Sequence, residues 1–392
     1  MEYLSEVLKI LDGALKANAT MATSYAGLLA EKLESAGERE QASLVRQRLI
    51  RAPRALASAQ DASSPNGTGQ LPVDGESRLH TVDYSRPSLS DIFLALPSGV
   101  ERRVEDLLDA ARHYDLLAKA GAAVPPRMLI YGPPGTGKTQ TAHWVAAKLG
   151  LPLLTVRCDT LISSLLGQTS KNLRRVFEYA QSGPAVLFLD EVDALASARG
   201  NERDVGELQR VVVSLLQNID ALEPSTVVVA ATNHDGLLDP AVWRRFAFQL
   251  PMPLPDSSLR EELWRRYLAN FSASTLDYPG LAERSAGATG SLIEQVSQDA
   301  KRHAVLARQF VVDEGETHRR LALAMALMQG KSLTSVDDEV RWLRLWDARR
   351  FSVRELARLY GVTTRKINNM IKELKEDAAR DEDDEAAQAP SK

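Results

Sequence analysis

The stretch Gly132-Pro133-Pro134-Gly135-Thr136-Gly137-Lys138-Thr139 constrains this chain more than any other. It fits the pattern G-x-x-x-x-G-K-[ST], a loop whose glycines let successive backbone N–H groups turn inward around phosphates. An apolar run, Met128-Leu129-Ile130-Tyr131, precedes it, and a helical pattern over about 138–149 follows. Strand, loop and helix N-terminus are the setting that phosphate binding needs, because the helix adds its positive dipole end to the loop amides. Lys138 is placed to reach the β- and γ-phosphates of a nucleotide, and the Thr139 hydroxyl to ligate Mg2+. A second apolar run, Leu187-Phe188-Leu189, ends in Asp190-Glu191, with Asp190 lying 51 residues after Thr139. That spacing leaves room for two βα units. Asp190 can then join the Mg2+ shell, and Glu191 can orient and polarise an attacking water.

The surrounding pattern supplies the fold class. Four short runs are apolar throughout rather than alternating: 128–131, 153–156, 185–189 and 226–231. Continuous runs of this kind are how parallel strands covered on both faces read. Helical patterns over 172–181 and 205–219 supply crossovers, so 85–254 reads as a doubly wound parallel α/β domain. Helices at 258–271, 291–308 and 314–329 make 255–330 a helical lid. Leucines at three- and four-residue spacing make 1–52 an N-terminal helical module, with Gly37 as a stop between two helices. The stretch 53–84 is rich in Ala, Ser, Gly and Pro and reads as a flexible linker, while 377–392 is an acidic tail expected to lack structure.

Composition narrows the chemistry. Cys158 is the only cysteine, which excludes an internal disulfide and a multi-cysteine zinc site. The six histidines stand at no local metal-ligand spacing. No apolar run is long enough to span a bilayer and no signal-peptide pattern opens the chain, so a cytoplasmic protein without a membrane partner is expected. The net charge of −4 means that any nucleic-acid contact must come from a local basic patch.

Such a patch lies in 331–376, which reads as a helix-turn-helix unit. Ser352 caps a first helix with Glu355 three residues on, Gly361 makes the turn, Val362 plugs the corner, and Thr363 or Thr364 caps a second helix. Ile367 and Ile371 face inward, while Thr364, Arg365, Lys366, Asn368 and Asn369 face outward as candidate DNA contacts. A third helix over 335–347 packs behind them. Over 349–375, eight basic residues against two acidic ones give a local charge of +6.

With these motifs in place, the region 85–310 resembles the AAA+ ATPases, and within them the AAA group that includes the spastin and katanin remodellers. The resemblance implies ATP and Mg2+ as cofactors and a homo-oligomeric ring, most simply a hexamer. It implies that Asn233, ending Ala231-Thr232-Asn233, senses the γ-phosphate and attacking water. It further implies that Arg244 and Arg245 act as arginine fingers in a neighbouring subunit's site. Gly290 and Ser291 resemble the second-sensor stretch at a lid-helix start, and Ile92 the adenine-side entry segment. Leu165, Leu166 and Gly167 correspond to the first pore loop, where leucine replaces the family's aromatic residue. The stretch 198–254 also resembles bacterial AAA ATPases paired with a subtilisin-like serine protease in phage defence and plasmid incompatibility. That pairing implies a protease partner, and the C-terminal unit implies the alternative of an ATP-controlled DNA-binding regulator.

Overall fold

Successive side chains of the parallel strands enter two different cores, which is why these strands carry no polar alternation. The computed structural model describes residues 3–15, 19–50, 81–163, 166–194, 202–272 and 276–371. Strands β1 (Asp83–Ser85), β2 (Arg127–Tyr131), β3 (Leu153–Arg157), β4 (Val186–Asp190), β5 (Val227–Thr232) and β6 (Phe248–Pro251) form one sheet in the order β1-β3-β4-β5-β2-β6. β1 pairs antiparallel with β3, and the remaining pairings are parallel. The parallel α/β class expected from the sequence is what the chain adopts, with β1 added as an antiparallel edge strand that was not expected.

The helices of this first unit are α1 (Leu4–Leu15), α2 (Ala19–Ser35), α3 (Arg39–Ile50), α4 (Ser98–Arg112), α5 (Tyr114–Lys119), α6 (Lys138–Leu149), α7 (Cys158–Ser163), α8 (Leu166–Ala180), α9 (Glu202–Ala221) and α10 (Pro240–Trp243). Met128, Ile130, Val186, Phe188, Val227, Val229 and Ala231 pack on α4 and α6. Their neighbours Leu129, Leu187, Leu189, Val228 and Ala230 pack on the other face, against α7, α8 and α9. The strand ends are thereby fixed from both sides. Strands β2 to β5 were legible in the sequence, and β1 and β6 were not. β1 has three residues, and β6 is an edge strand in which only Leu250 is buried. Gly37, at φ +86°, terminates α2 as expected, and Lys9 of α1 forms an ion pair with Glu223.

The second unit begins at Leu254 and is helical. It comprises α11 (Ser257–Leu268), α12 (Tyr278–Arg284), α13 (Gly290–Leu306), α14 (Glu314–Met328), α15 (Val336–Trp346), α16 (Val353–Tyr360) and a helix over 364–371, α17. Asp256, Asp277, Thr289, Asp313, Ser335 and Ser352 cap α11 to α16, each side chain accepting a backbone N–H of the first turn. Ser352 caps as read from the sequence, but Glu355 does not reach back to complete a box, because its carboxylate pairs with Arg358. α14 shares a core with the helices after it: Ala322 and Ala326 pack with Val340, Leu343, Phe351, Leu356 and Ile367. Among the described residues, no helix is long and apolar enough to cross a membrane.

His318 is fully buried on α14, with Nδ1 bonded to the Glu314 carbonyl oxygen and Nε2 unpartnered. Burial, reinforced by the Arg350 and Arg284 cations, lowers its pKa to about 4. A histidine held neutral in the folded state gives stability that is complete above its unfolded value and declines as pH falls toward about 4. We expect the unfolding free energy from urea titrations to drop between about pH 6.5 and 4, at up to about 1.4 kcal/mol per pH unit, with the slope flattened in His318→Leu. An unchanged slope in the variant would contradict the assignment.

Candidate functional site

The phosphate-loop residues sit where β2 gives way to α6, and the backbone there is available only to glycine. Gly132, Gly135 and Gly137 have φ of +144°, +76° and +97°. A side chain at Gly132 would run into the carbonyl oxygen of Met252, just past β6, so the loop is pressed against the neighbouring strand end. The Thr136 hydroxyl donates to the Pro133 carbonyl (2.9 Å), and Lys138 Nζ donates to the carbonyls of Gly132 and Pro133 (2.8 Å each). Pro134 lies between them in the same turn. Burial lowers the Lys138 pKa, opposed by the carboxylates of Asp190 and Asp193.

Those carboxylates come from the end of β4. The Thr139 hydroxyl donates to Asp190 Oδ2 (3.3 Å), joining the two residues that the sequence nominates for Mg2+. Burial raises the Asp190 pKa, with Thr139, the Glu191 N–H and Lys138 pulling it back. Glu191 follows in the left-handed region, φ +55°, a conformation that costs about 1–3 kcal/mol in a residue with a side chain. Its carboxylate is exposed, and its pKa is raised by residual burial and then by Asp159, Asp190 and Asp193. Asp193 is buried and accepts the Asn233 N–H (3.4 Å), tying the end of β5 to the acidic run. Lys138, Thr139, Asp190, Glu191 and Asn233 thus meet at the carboxyl ends of β2, β4 and β5, the edge where doubly wound sheets bind ligands.

Asp190, Glu191, Asp193 and Asp159 outnumber the cations that act on them, Lys138 and Arg157. Hard oxygen ligands with a surplus of negative charge fit Mg2+. Among the described residues no group of three acidic, histidine or cysteine side chains could hold a metal ion by itself.

The arginine pair divides. Arg245 makes a bidentate bridge to Asp220 at the end of α9 (Nε–Oδ1 3.1 Å, Nη2–Oδ2 2.9 Å) and also donates to the Ala241 carbonyl (3.3 Å). Its guanidinium is therefore committed within its own chain, which departs from the expectation that it reaches outward. Arg244 is exposed and has no ion pair among the described residues. Just before it, Trp243 packs edge-on against Tyr131, the residue preceding the phosphate loop (centroids 5.0 Å apart, planes at 72°).

Other expected positions fall elsewhere. Ile92 is half-buried in the coil before α4, and its neighbour Leu94 approaches the loop, 3.8 Å from where a Gly137 side chain would begin. Gly290 and Ser291 open α13 in the second unit. Leu165 lies outside the described residues, while Leu166 and Gly167 begin α8. Thr364, Arg365, Lys366, Asn368 and Asn369 are all exposed on α17. The local +6 is overstated as a surface charge, because Arg350 and Arg358 are spent on Glu314, Asp313 and Glu355. Sequence reasoning missed Asp159, Asp193, Asp220 and Trp243. Only Asp193 left a signal, as the third acid of Asp190-Glu191-Val192-Asp193.

Comparison with known proteins agrees with this geometry. The family "ATPase family associated with various cellular activities (AAA)" matches residues 128–254. The AAA family ATPase y4kL of Sinorhizobium fredii is 36% identical over 259 residues, covering 66% of this chain and 78% of the relative. The proteasome-activating nucleotidase of Thermococcus gammatolerans is 30% identical over 270 residues, 64% of this chain and 67% of that protein. The Cell division cycle protein 48 homolog of Archaeoglobus fulgidus is 36% identical over 248 residues, 59% of this chain but 34% of its own length.

Because Asp159 is the foremost charge holding the Glu191 carboxyl up, Asp159→Asn should lower its pKa. The acid limb of the pH profile for nucleotide turnover then moves to lower pH, and a limb that stays in place would show that Glu191 does not set it.

Proposed function

Taking as premise that this chain belongs to the AAA family of ATPases and hydrolyses ATP, we propose that it works as a Mg2+-dependent ring, most simply a hexamer, acting on a separate protein. The observation that carries this reading is the meeting of Lys138, Thr139, Asp190 and Glu191 at one sheet edge while Arg244 stands exposed with no ion pair among the described residues. The loop amides of 132–139 and Lys138 hold the phosphates, and Ile92, with Leu94 beside the loop, serves the adenine side from the entry segment. Thr139 and Asp190 would hold Mg2+, which when bound would supply positive charge against the transferring phosphate. Glu191 orients the water and accepts its proton, and Asn233, steadied through Asp193, fixes the γ-phosphate side. Cleavage adds negative charge to a site already rich in carboxylates. An arginine delivered by the next protomer answers that need and is worth about 10³–10⁵ in rate in related phosphoryl transfers. Arg244 is that arginine, and Arg245 anchors it through Asp220.

The partner we infer is a protease encoded separately, of the subtilisin-like kind, with a role in antiviral defence inside the cytoplasm. Support comes from the chain's likeness to a proteasome-activating nucleotidase, a nucleotidase whose name pairs it with a proteolytic partner. Leucine at position 165 offers apolar contact but no flat plate to intercalate between substrate side chains, which favours local remodelling over processive threading. A second reading, an ATP-controlled DNA-binding regulator, is favoured by the exposed cationic face of α17.

Glu191→Gln should keep ATP binding and lose about 10²–10⁴ in turnover, trapping the assembly with its partner, whereas Lys138→Ala should lose nucleotide binding itself. Wild-type turnover in Glu191→Gln would remove the proposed base.

A further inference from the structure

We propose that the outward face of α17 is a contact surface for duplex DNA. This deepens the second reading above and does not depend on an arginine acting between protomers.

The helix is held by one side only. Ile367 and Met370 are buried in the core that also contains Val340, Leu343, Phe351 and Leu356, and Ile371 packs at its edge. The reversal before it is tight: α16 ends at Gly361, φ +62°, half-buried Val362 packs against the core, and the Thr363 hydroxyl accepts the Lys366 N–H (3.3 Å). Everything that remains of the helix faces solvent. Thr363, Thr364, Arg365, Lys366, Asn368 and Asn369 are exposed, and no acidic residue occurs anywhere in 361–371.

Charge accounting separates cations that build the unit from cations left over. Arg358 is paired with Asp313 (2.9 Å) and Glu355 (2.6 Å), and Arg350 with Glu314 (2.6 Å). Gly315 makes this seam fit, since a side chain there would run into the Glu355 carboxylate and the Arg358 guanidinium. The seam seats α16 on the N-terminal end of α14, and the shared apolar core does the same along its length. Arg365 and Lys366 take no part in it and have no ion pair among the described residues. They are cations without a structural role in the fold.

The chemistry of the face chooses the partner. A protein interface needs apolar or aromatic anchors at its centre. The apolar side chains of α17 are turned inward, and 363–366 with 368–369 offers none. Hydroxyls, a guanidinium, an ammonium and two carboxamides are instead the groups that meet phosphates and base edges, arginine pairing with guanine and asparagine with adenine. The first turn of α17 carries Thr364, Arg365 and Lys366, at the helix end whose dipole favours phosphate. A helix with one exposed face fits the major groove of B-form DNA, and the narrow, deep major groove of A-form RNA excludes it.

The test uses the full chain and a labelled random duplex of about 25 base pairs, with binding followed by anisotropy between about 50 and 200 mM salt. Arg365→Ala/Lys366→Ala should weaken binding at least tenfold at the low-salt end. It should also reduce the slope of log affinity against log salt by about 2, the counterions of two phosphate contacts. ATP turnover without DNA should be unchanged, so failure of this surface is distinguishable from failure of the ATPase reading. Asn368→Ala should keep the salt slope and alter which duplexes are enriched from a random pool. Wild-type protein that binds no duplex at the lowest salt, that binds single strands as tightly, or whose affinity survives the double substitution overturns the proposal.

Discussion

Four carboxylates against a partly buried lysine at the carboxyl end of the parallel sheet is the constraint on which the rest of the molecule turns. Asp190, Glu191 and Asp193 come from one strand end and Asp159 from the next. Such crowding is unfavourable unless cations arrive: burial raises the Asp190 pKa, and burial followed by Asp159, Asp190 and Asp193 raises that of Glu191. The architecture around it serves to hold this arrangement. Side chains alternating into two cores pin β2, β4 and β5 from both faces. The close approach of Gly132 to Met252 pins the loop against β6. Under the proposed function, a site built this way takes a triphosphate with Mg2+ and leaves transition-state charge for another arginine to meet.

The position of that arginine follows from contacts on its own chain. Asp220 closes α9 and takes Arg245, and Tyr131 takes Trp243 beside the phosphate loop. Between two anchored neighbours, Arg244 is left exposed. The same economy governs the second unit, where carboxylates at the start of α14 consume Arg350 and Arg358 and leave Arg365 and Lys366 to solvent. In both places the free cation is defined by the pairing of its neighbours.

Local signals made much of this legible in the sequence. The phosphate loop reads directly because its glycines and lysine are contiguous, and β2 to β5 read as apolar runs because both faces are covered. Ser335, Ser352 and Gly361 mark their helix ends because capping and left-handed turns are decided within a few residues. What the sequence hid depends on distant partners. β6 becomes a strand by pairing with β2. α12 is a single short stretch whose place is set by packing. Nothing in the sequence near Asp220 or Asp159 announces Arg245 or Glu191. The pairing of Arg358 with Asp313 spans 45 residues, so counting charges along 349–375 could not discount it.

The central claim is that ATP held at 132–139 is cleaved only when a neighbouring protomer contributes Arg244. Mixing Arg244→Ala with Lys138→Ala protein tests it most directly, since one variant keeps the nucleotide loop and the other keeps the arginine. The account predicts that each is inactive alone and that turnover returns on mixing. Wild-type turnover by Arg244→Ala alone, or mixed assemblies that form and stay inactive, would contradict it.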